Sequence, residues 1–306
     1  MTGQINKTLN KIISTKSHPL LIGMIHLPAL PGTPKHVMPV EQIVEKVQKE
    51  TEIYLKSELD GIIIENMHDL PYQKLDENIG PEICSWMTKS CLEFLAGANK
   101  TAIAVAHASA YSLFNKGKLK QLSLTLRINP SPNLSFLLIN LKLGFNFIRA
   151  ESFVFGHLAD EGWMDGCAGN LLRYRKMIGA ENVGIIVDIK KKHCSHSITK
   201  DINIAQTANA AEFFLADGII LTGNSTGQEA SVLDLEDVNK ECPSLPIFIG
   251  SGINENNINK FKNADGFIVG SYFKKGGYWG NEIDLEKVLK LNEKVKKIKR
   301  NEEKIF

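Results

Sequence analysis

Seven short runs along the chain are apolar at nearly every position rather than at alternate ones. They are LIGMIHL (21–27), GIIIEN (61–66), FNFIRAES (145–152), VGIIVDIK (183–190), GIILTG (218–223), PIFIGSG (246–252) and GFIVGS (266–271). A strand covered on both faces has this pattern, as in a parallel sheet flanked by helices. Helical spacing fills several of the gaps, over 38–57, 170–179 and 204–216. The basic stretch 285–300 reads as the last helix, with Asp284 as its cap. Alternating strands and helices predict βαβ units. With one more strand expected between 66 and 145, the pattern predicts an α/β fold, a (β/α)₈ barrel. The alternative is an open doubly wound sheet, whose G-x-G-x-x-G turn after the first strand is absent.

In such a barrel the C-terminal strand ends form the mouth where chemistry is done. Nearly every run ends in polar groups there: His26, then Glu65 and Asn66, Arg149 and Glu151, Asp188 and Lys190, Thr222, and Ser251. Side chains alternate along a strand, so Arg149 shares a face with Glu151, and Asp188 with Lys190. If those faces point inward, Glu65, Glu151 and Asp188 converge. Two bare carboxylates ~4 Å apart repel by roughly 4 kcal/mol at an effective dielectric near 20. Relief comes from Arg149 and Lys190, from a bridging cation such as Mg²⁺, or from one acid staying protonated as a general acid. Glu65, Glu151, Asp188, Lys190, Arg149 and His26 are therefore the candidate catalytic residues. The PALPG segment after His26 is a stiff exit loop, because proline fixes φ and donates no ladder bond.

The last two runs end in IGSGI (249–253) and VGS (269–271). Glycine lets backbone amides approach a ligand closely, and Asn254 can cap a following helix whose N-terminus favours an anion. The loops after strands seven and eight are the common phosphate site of this architecture. Gly250, Ser251, Gly252, Gly270 and Ser271 are the candidate phosphate-binding residues. TGNSTGQ (222–228) lacks the lysine of a Walker A loop. KKKHCSHS (190–197) places His193 and His196 at H-x-x-H spacing without a readable third metal ligand, so substrate contact is expected of them and of Thr222. FVFGHLADEGWMDGCAG (153–169), with His157, Asp160, Glu161 and Trp163, is long enough to cover the mouth.

Composition narrows the classes. The 306 residues carry a net charge of +2 and 43% hydrophobic residues, which argues for a globular fold and against a nucleic-acid partner. No run approaches the roughly 18 apolar residues that span a bilayer. Five cysteines without repeated spacing favour free thiols in a reducing compartment. Residues 1–18 contain Lys7, Lys11 and Lys16 and no acid, which suits a frayed N-terminal extension; a mitochondrial address is the alternative, although arginine is missing. The expected location is the cytoplasm, with mitochondria second.

The segments LIGMIHLPALPGTP, DGIIIENMHDLPY, LAGANK, FNFIRAESFVFGHLADEGW, GIIVDIKKKHCSHSIT, FFLADGIILTGNSTG, PIFIGSGI and GFIVGSYFKKGGYW together resemble, in order, the BtpA/SgcQ family. The resemblance covers most of residues 20–280. It implies a TIM barrel grouped with ribulose-phosphate-binding barrels, and extends the phosphate reading to Ser251, Gly252, Gly270 and Ser271. Asn99, in LAGANK, joins the candidate substrate contacts. No catalytic mechanism comes with the resemblance. One cyanobacterial member is tied to photosystem I accumulation, so a non-catalytic assembly or stability factor stands beside an enzyme, a hydrolase or lyase, acting on a sugar phosphate or nucleotide. A small phosphorylated metabolite is the expected partner, and the fold is compatible with a homo-oligomer.

The chain departs from the family between its second and fourth strands. CLEFLAGANK (91–100) leaves a stub where a strand should precede LAGAN, and 110–142 is an insert with no acidic residue and an N-P-S-P-N breaker. This reads as a truncated third strand followed by an irregular excursion, or as a gene-model error. A lost strand would leave the barrel open. The expected organisation is an extension (1–18), one barrel (19–300) and a short tail (301–306).

Overall fold

The computed structural model describes residues 7–30, 33–72, 123–127, 146–223 and 225–300. Eight parallel strands close into a barrel. They are β1 (Leu20–His26), β2 (Gly61–Glu65), β3 (Ser123–Arg127), β4 (Phe147–Ala150), β7 (Gly184–Asp188), β9 (Gly218–Leu221), β10 (Ile247–Ile249) and β11 (Gly266–Val269), with β1 paired to both β2 and β11. Three further strands, β5 (His157–Ala159), β6 (Gly162–Met164) and β8 (Cys194–Ser195), form a small antiparallel sheet from the loops after β4 and β7.

The third strand corrects the expectation of an excursion across 110–142. Ser123–Arg127 lies inside that insert and pairs in register with β2, Gly61 to Ser123 through Glu65 to Arg127, and then with β4. The ring is thus closed and leaves no edge strand to attract another chain.

Six α-helices are described: α1 (Lys7–Ser14), α2 (Val40–Lys56), α3 (Ala168–Met177), α4 (Ile204–Phe213), α5 (Val232–Glu241) and α6 (Leu285–Lys296). Their starts follow local chemistry. Asn203 and Gln206 form a reciprocal capping box on α4. Ser231 caps α5, and Asp284 accepts the Lys287 amide at the start of α6. The expected helix after Asn254 is only a short 3₁₀ turn, Ile258–Phe261, so that position offers no helical N-terminus for an anion.

The apolar residues divide into two bodies. One lies between sheet and helices. The other fills the barrel: Leu20, Ile22 and Met24 from β1, Ile63, Phe147, Ile186, Ile220, Phe248 and Ile268. Leu9 and Ile13 of α1 belong to this inner body and are buried. Helix α1, which falls in the expected frayed extension, therefore closes the lower end of the barrel. Truncating Leu9 to Ala removes buried volume there and costs about 2–5 kcal/mol.

That lower end carries a device used three times. Asp60, Asp217 and Asp265 each precede a strand-initiating glycine. Each donates its own amide to a neighbouring strand's carbonyl, of Leu21, Ile185 and Ile247 respectively, at 2.8–3.1 Å. Each carboxylate then accepts that same residue's amide at 2.8–2.9 Å. The side chain extends the ladder one step beyond the backbone.

Candidate functional site

Alternation fixes which residues reach the mouth. The inward rows that place Met24, Ile63, Phe147, Ile186, Ile220, Phe248 and Ile268 in the barrel interior continue upward, two residues on. The next positions are His26, Glu65, Arg149, Asp188, Thr222, Gly250 and Gly270. The interior thus changes from apolar to ionic in one layer, and a cavity of about 420 Å³ opens above it.

Two of these top-layer residues are paired. Arg149 grips Asp188 with two parallel bonds, Nε to Oδ2 at 2.8 Å and Nη2 to Oδ1 at 2.6 Å, with both side chains almost fully enclosed. Just above, Glu151 Oε2 meets Lys191 Nζ at 2.5 Å. Of the three ways to relieve carboxylate repulsion, the structure uses cations. Lys191 occupies the place expected of Lys190, and the reason is local. Lys190 has φ of +45°, in the left-handed region, which ends the strand's alternation after Asp188. Its ammonium bonds the carbonyl and hydroxyl of Thr199 instead. Among the described residues no group of three His, Cys, Asp or Glu is arranged to hold a metal ion.

His26 is buried and lies in register with Glu65 on β2. Its Nδ1 is 3.0 Å from the Trp279 carbonyl, to which the ring donates. Burial pushes its pKa down to about 4, against an opposing pull from Glu65. At neutral pH the ring is uncharged, with its proton on Nδ1 and Nε2 left as an acceptor. The loop after β1 is fixed from β2's side: Asp69 accepts the Leu30 amide at 2.7 Å and the Asn66 side-chain amide at 2.8 Å.

The glycines at the mouth answer to packing. A Cβ on Gly250 would stand 2.5 Å from Ile220 Cγ2 and 3.3 Å from Arg149 Nη2. One on Gly270 would stand 3.3 Å from His26 Cε1. Gly252 has φ of +71° and a Cβ there would meet the Gln228 carbonyl at 2.3 Å. The Ser251 hydroxyl accepts the Gly223 amide at 2.7 Å and donates to the Gln228 carbonyl at 3.0 Å, tying two loops together. All four residues, with Ser271, border the cavity.

Of the sequence candidates, His26, Glu65, Arg149, His193, Gly250, Ser251, Gly252, Gly270 and Ser271 line the large cavity. Asp188, Lys190 and His196 line a smaller one beside it, with Ser152 and His157. Glu151 lies beneath Lys191, and Thr222 accepts the Lys192 amide at 3.2 Å. Asn99 lies outside the described residues. The hairpin β5–β6 brings its turn, Asp160 and Glu161, to the cavity, as the length of that loop suggested. The His157 and His196 rings lie 5.2 Å apart, tilted by 51°, and burial pushes His157 down to about 4. Burial also raises the Cys194 thiol to about 11, which removes it as a nucleophile at neutral pH. Lys191, Trp279, Tyr72 and Met67 were not singled out from sequence; their loops give no local signal.

A closed parallel barrel with an ionic layer and a cavity at its C-terminal strand ends is a TIM barrel. The BtpA family model matches residues 17–96 and 120–297, and the chain belongs to the BtpA family. The unmatched 97–119 falls between β2 and β3. An uncharacterized mitochondrial protein of Caenorhabditis elegans is 44% identical over 97% of this chain and 98% of its own length. The photosystem I biogenesis protein BtpA of Synechocystis is 31% identical over 88% of this chain and 85% of its own. Among solved structures, 3-keto-L-gulonate-6-phosphate decarboxylase of Vibrio cholerae matches at a TM-score of 0.51 and 11% identity, covering 92% of this chain and 99% of that one. Phosphoribosyl anthranilate isomerase of Thermus thermophilus matches at 0.50 and 9%, covering 90% and 96%. These two likenesses concern the fold. No described helix is long and apolar enough to cross a membrane.

Proposed function

We propose that this protein is an enzyme acting on a small phosphorylated metabolite held at the barrel mouth. The observation that carries this reading is one cavity of about 420 Å³ bordered both by the Gly250–Gly252 and Gly270–Ser271 turns and by Arg149 and Lys191. The phosphate sits against the two turns, where glycine backbone gives close approach. Arg149 and Lys191, each held by a carboxylate, stabilise charge that develops on the substrate. Neutral His26 accepts a proton or hydrogen bond through Nε2. Glu65, beside it, is the second proton-transfer candidate, and the reaction class is hydrolysis or lysis.

The test is a thermal-shift panel of phosphorylated metabolites, with and without Mg²⁺. A ligand at 100 times its Kd adds about 2.7 kcal/mol, and the wild type should show such a shift. Ser271→Asp, which places a carboxylate in the turn, should abolish it. A second reading, a non-catalytic assembly factor, draws on the name of the Synechocystis relative; an empty panel favours it. We also propose a mitochondrial location from the Caenorhabditis elegans relative. Because Leu9 and Ile13 pack inside the barrel, any processing should leave α1 in the mature protein.

A further inference from the structure

The cavity is lined by three kinds of surface. The β10 and β11 turns contribute backbone. Strand β4 and the loops after β4 and β7 contribute charge: Arg149, Lys191, Lys192, Asp160 and Glu161. The β1, β2 and β11 side contributes Trp279, Tyr72, Met67, Leu70 and Met24, with little charge besides Glu65. A bare phosphate or a short sugar phosphate needs only the first two.

The aromatic side is built to hold its shape. The Trp279 ring packs on His68 at 4.7 Å and meets His26 edge-on at 6.2 Å. Its carbonyl accepts a hydrogen bond from His26 Nδ1. His68 is fixed in turn through Nδ1 to the Leu27 carbonyl at 2.6 Å. The loop that carries Trp279 is anchored at its root by Lys274, whose ammonium sits 3.0 Å from both carboxylate oxygens of Glu50 in the core. Tyr72 is held by its hydroxyl on the Met67 carbonyl at 3.0 Å. A half-buried tryptophan immobilised from three sides at the edge of a cavity is a stacking platform prepared in advance. Asp160 and Glu161, from the β5–β6 turn, complete the lining. The cavity volume lies within the roughly 300–1,000 Å³ that encloses drug-sized ligands.

We infer that the ligand is a phosphate ester carrying a flat unsaturated ring, a nucleoside monophosphate or a molecule of the same build. Trp279 selects the ring. This rests on the phosphate reading above and adds the other end of the molecule.

The experiment compares three probes by calorimetric titration: uridine 5′-monophosphate, adenosine 5′-monophosphate and ribose 5-phosphate. At least one nucleotide should bind at least tenfold more tightly than ribose 5-phosphate. Trp279→Leu should erase that advantage, a loss of roughly 5- to 150-fold, the range that stacking on one aromatic ring supplies. It should leave the Kd of ribose 5-phosphate unchanged. Trp279→Phe should restore most of the preference, which a merely structural tryptophan would not do. Ribose 5-phosphate binding as tightly as both nucleotides overturns the ring assignment and keeps the phosphate reading. Equal weakening of all three probes by Trp279→Leu does the same. Failure of every phosphate ester to bind overturns the phosphate reading itself.

Discussion

The two ends of the barrel both bury carboxylates, and they spend them differently. At the lower end Asp60, Asp217 and Asp265 each accept a backbone amide of the neighbouring strand. That partner cannot move without unravelling the sheet, and helix α1 covers the interior beneath. At the mouth Asp188 and Glu151 face side-chain cations, Arg149 and Lys191, which also line an open cavity. A side chain can exchange its partner for a ligand; a ladder amide cannot. The lower end therefore secures the fold, while the mouth holds charge that a substrate can share.

The largest expected effect separates these two uses. Asp188→Ala leaves the Arg149 guanidinium buried and uncompensated, and should cost about 3–5 kcal/mol in denaturant unfolding. Replacing both partners, Arg149→Met with Asp188→Leu, removes the buried charge and should recover most of that loss while abolishing phosphate-ester binding. The lower end permits no such recovery. Asp217→Leu should cost about 1–3 kcal/mol because the Ile185 amide loses its acceptor. Adding Arg175→Met, which removes the cation 2.5 Å from Asp217, should restore little. Equal rescue at both ends would erase the distinction.

A pH titration sharpens it next. His26 and His157, both at the mouth, are depressed by burial from 6.5 to about 4. As pH falls, the unfolded chain takes up these protons first, so folding loses free energy. Their contribution is complete above about pH 6.5 and lost progressively toward pH 4. For the fully enclosed His26 each unit of depression is worth about 1.4 kcal/mol. His26→Gln should flatten the acid limb of stability against pH within that window. An unchanged limb would mean that His26 is not held neutral.

Much of this could be read from residues alone, and the failures have physical causes. The apolar runs located seven barrel strands, because a sheet covered on both faces must be apolar on both. Parity along the strands brought His26, Glu65, Arg149 and Asp188 into the top layer. It went astray at Lys190, where positive φ reverses the side chain and Lys191 takes its place. Nothing local announces a left-handed lysine. The third strand, SLTLR, is too short and too mixed to stand out; β2 and β4 supply its register from outside. The D-G pairs at 60–61, 217–218 and 265–266 are visible in the sequence. Their meaning needs the strand order, since each aspartate serves a neighbour 18 to 39 residues away. Trp279 reaches the cavity through a loop whose path only tertiary packing defines.

The smallest expected effect concerns how the mouth is kept open to exchange. His193, with φ of +57°, joins the β7 loop to the β9 loop. Its Nε2 accepts the Thr226 amide at 3.2 Å and lies 3.0 Å from the Thr226 hydroxyl. Because the amide must donate, Nε2 carries the lone pair here, and a doubly protonated ring would lose that bond. The contact is exposed, so His193→Ala, which removes the acceptor, should change global stability by no more than about 0.5 kcal/mol. Its signature should be local: faster amide exchange at 225–228 with the barrel strands unaffected, and faster ligand release if these loops open to let the ligand go. At the lower end no comparably exposed substitution should speed release. A His193→Ala protein with unchanged exchange in both loops would show that the mouth is as rigid as the base, and the contrast between the two ends would then rest on the charged pairs alone.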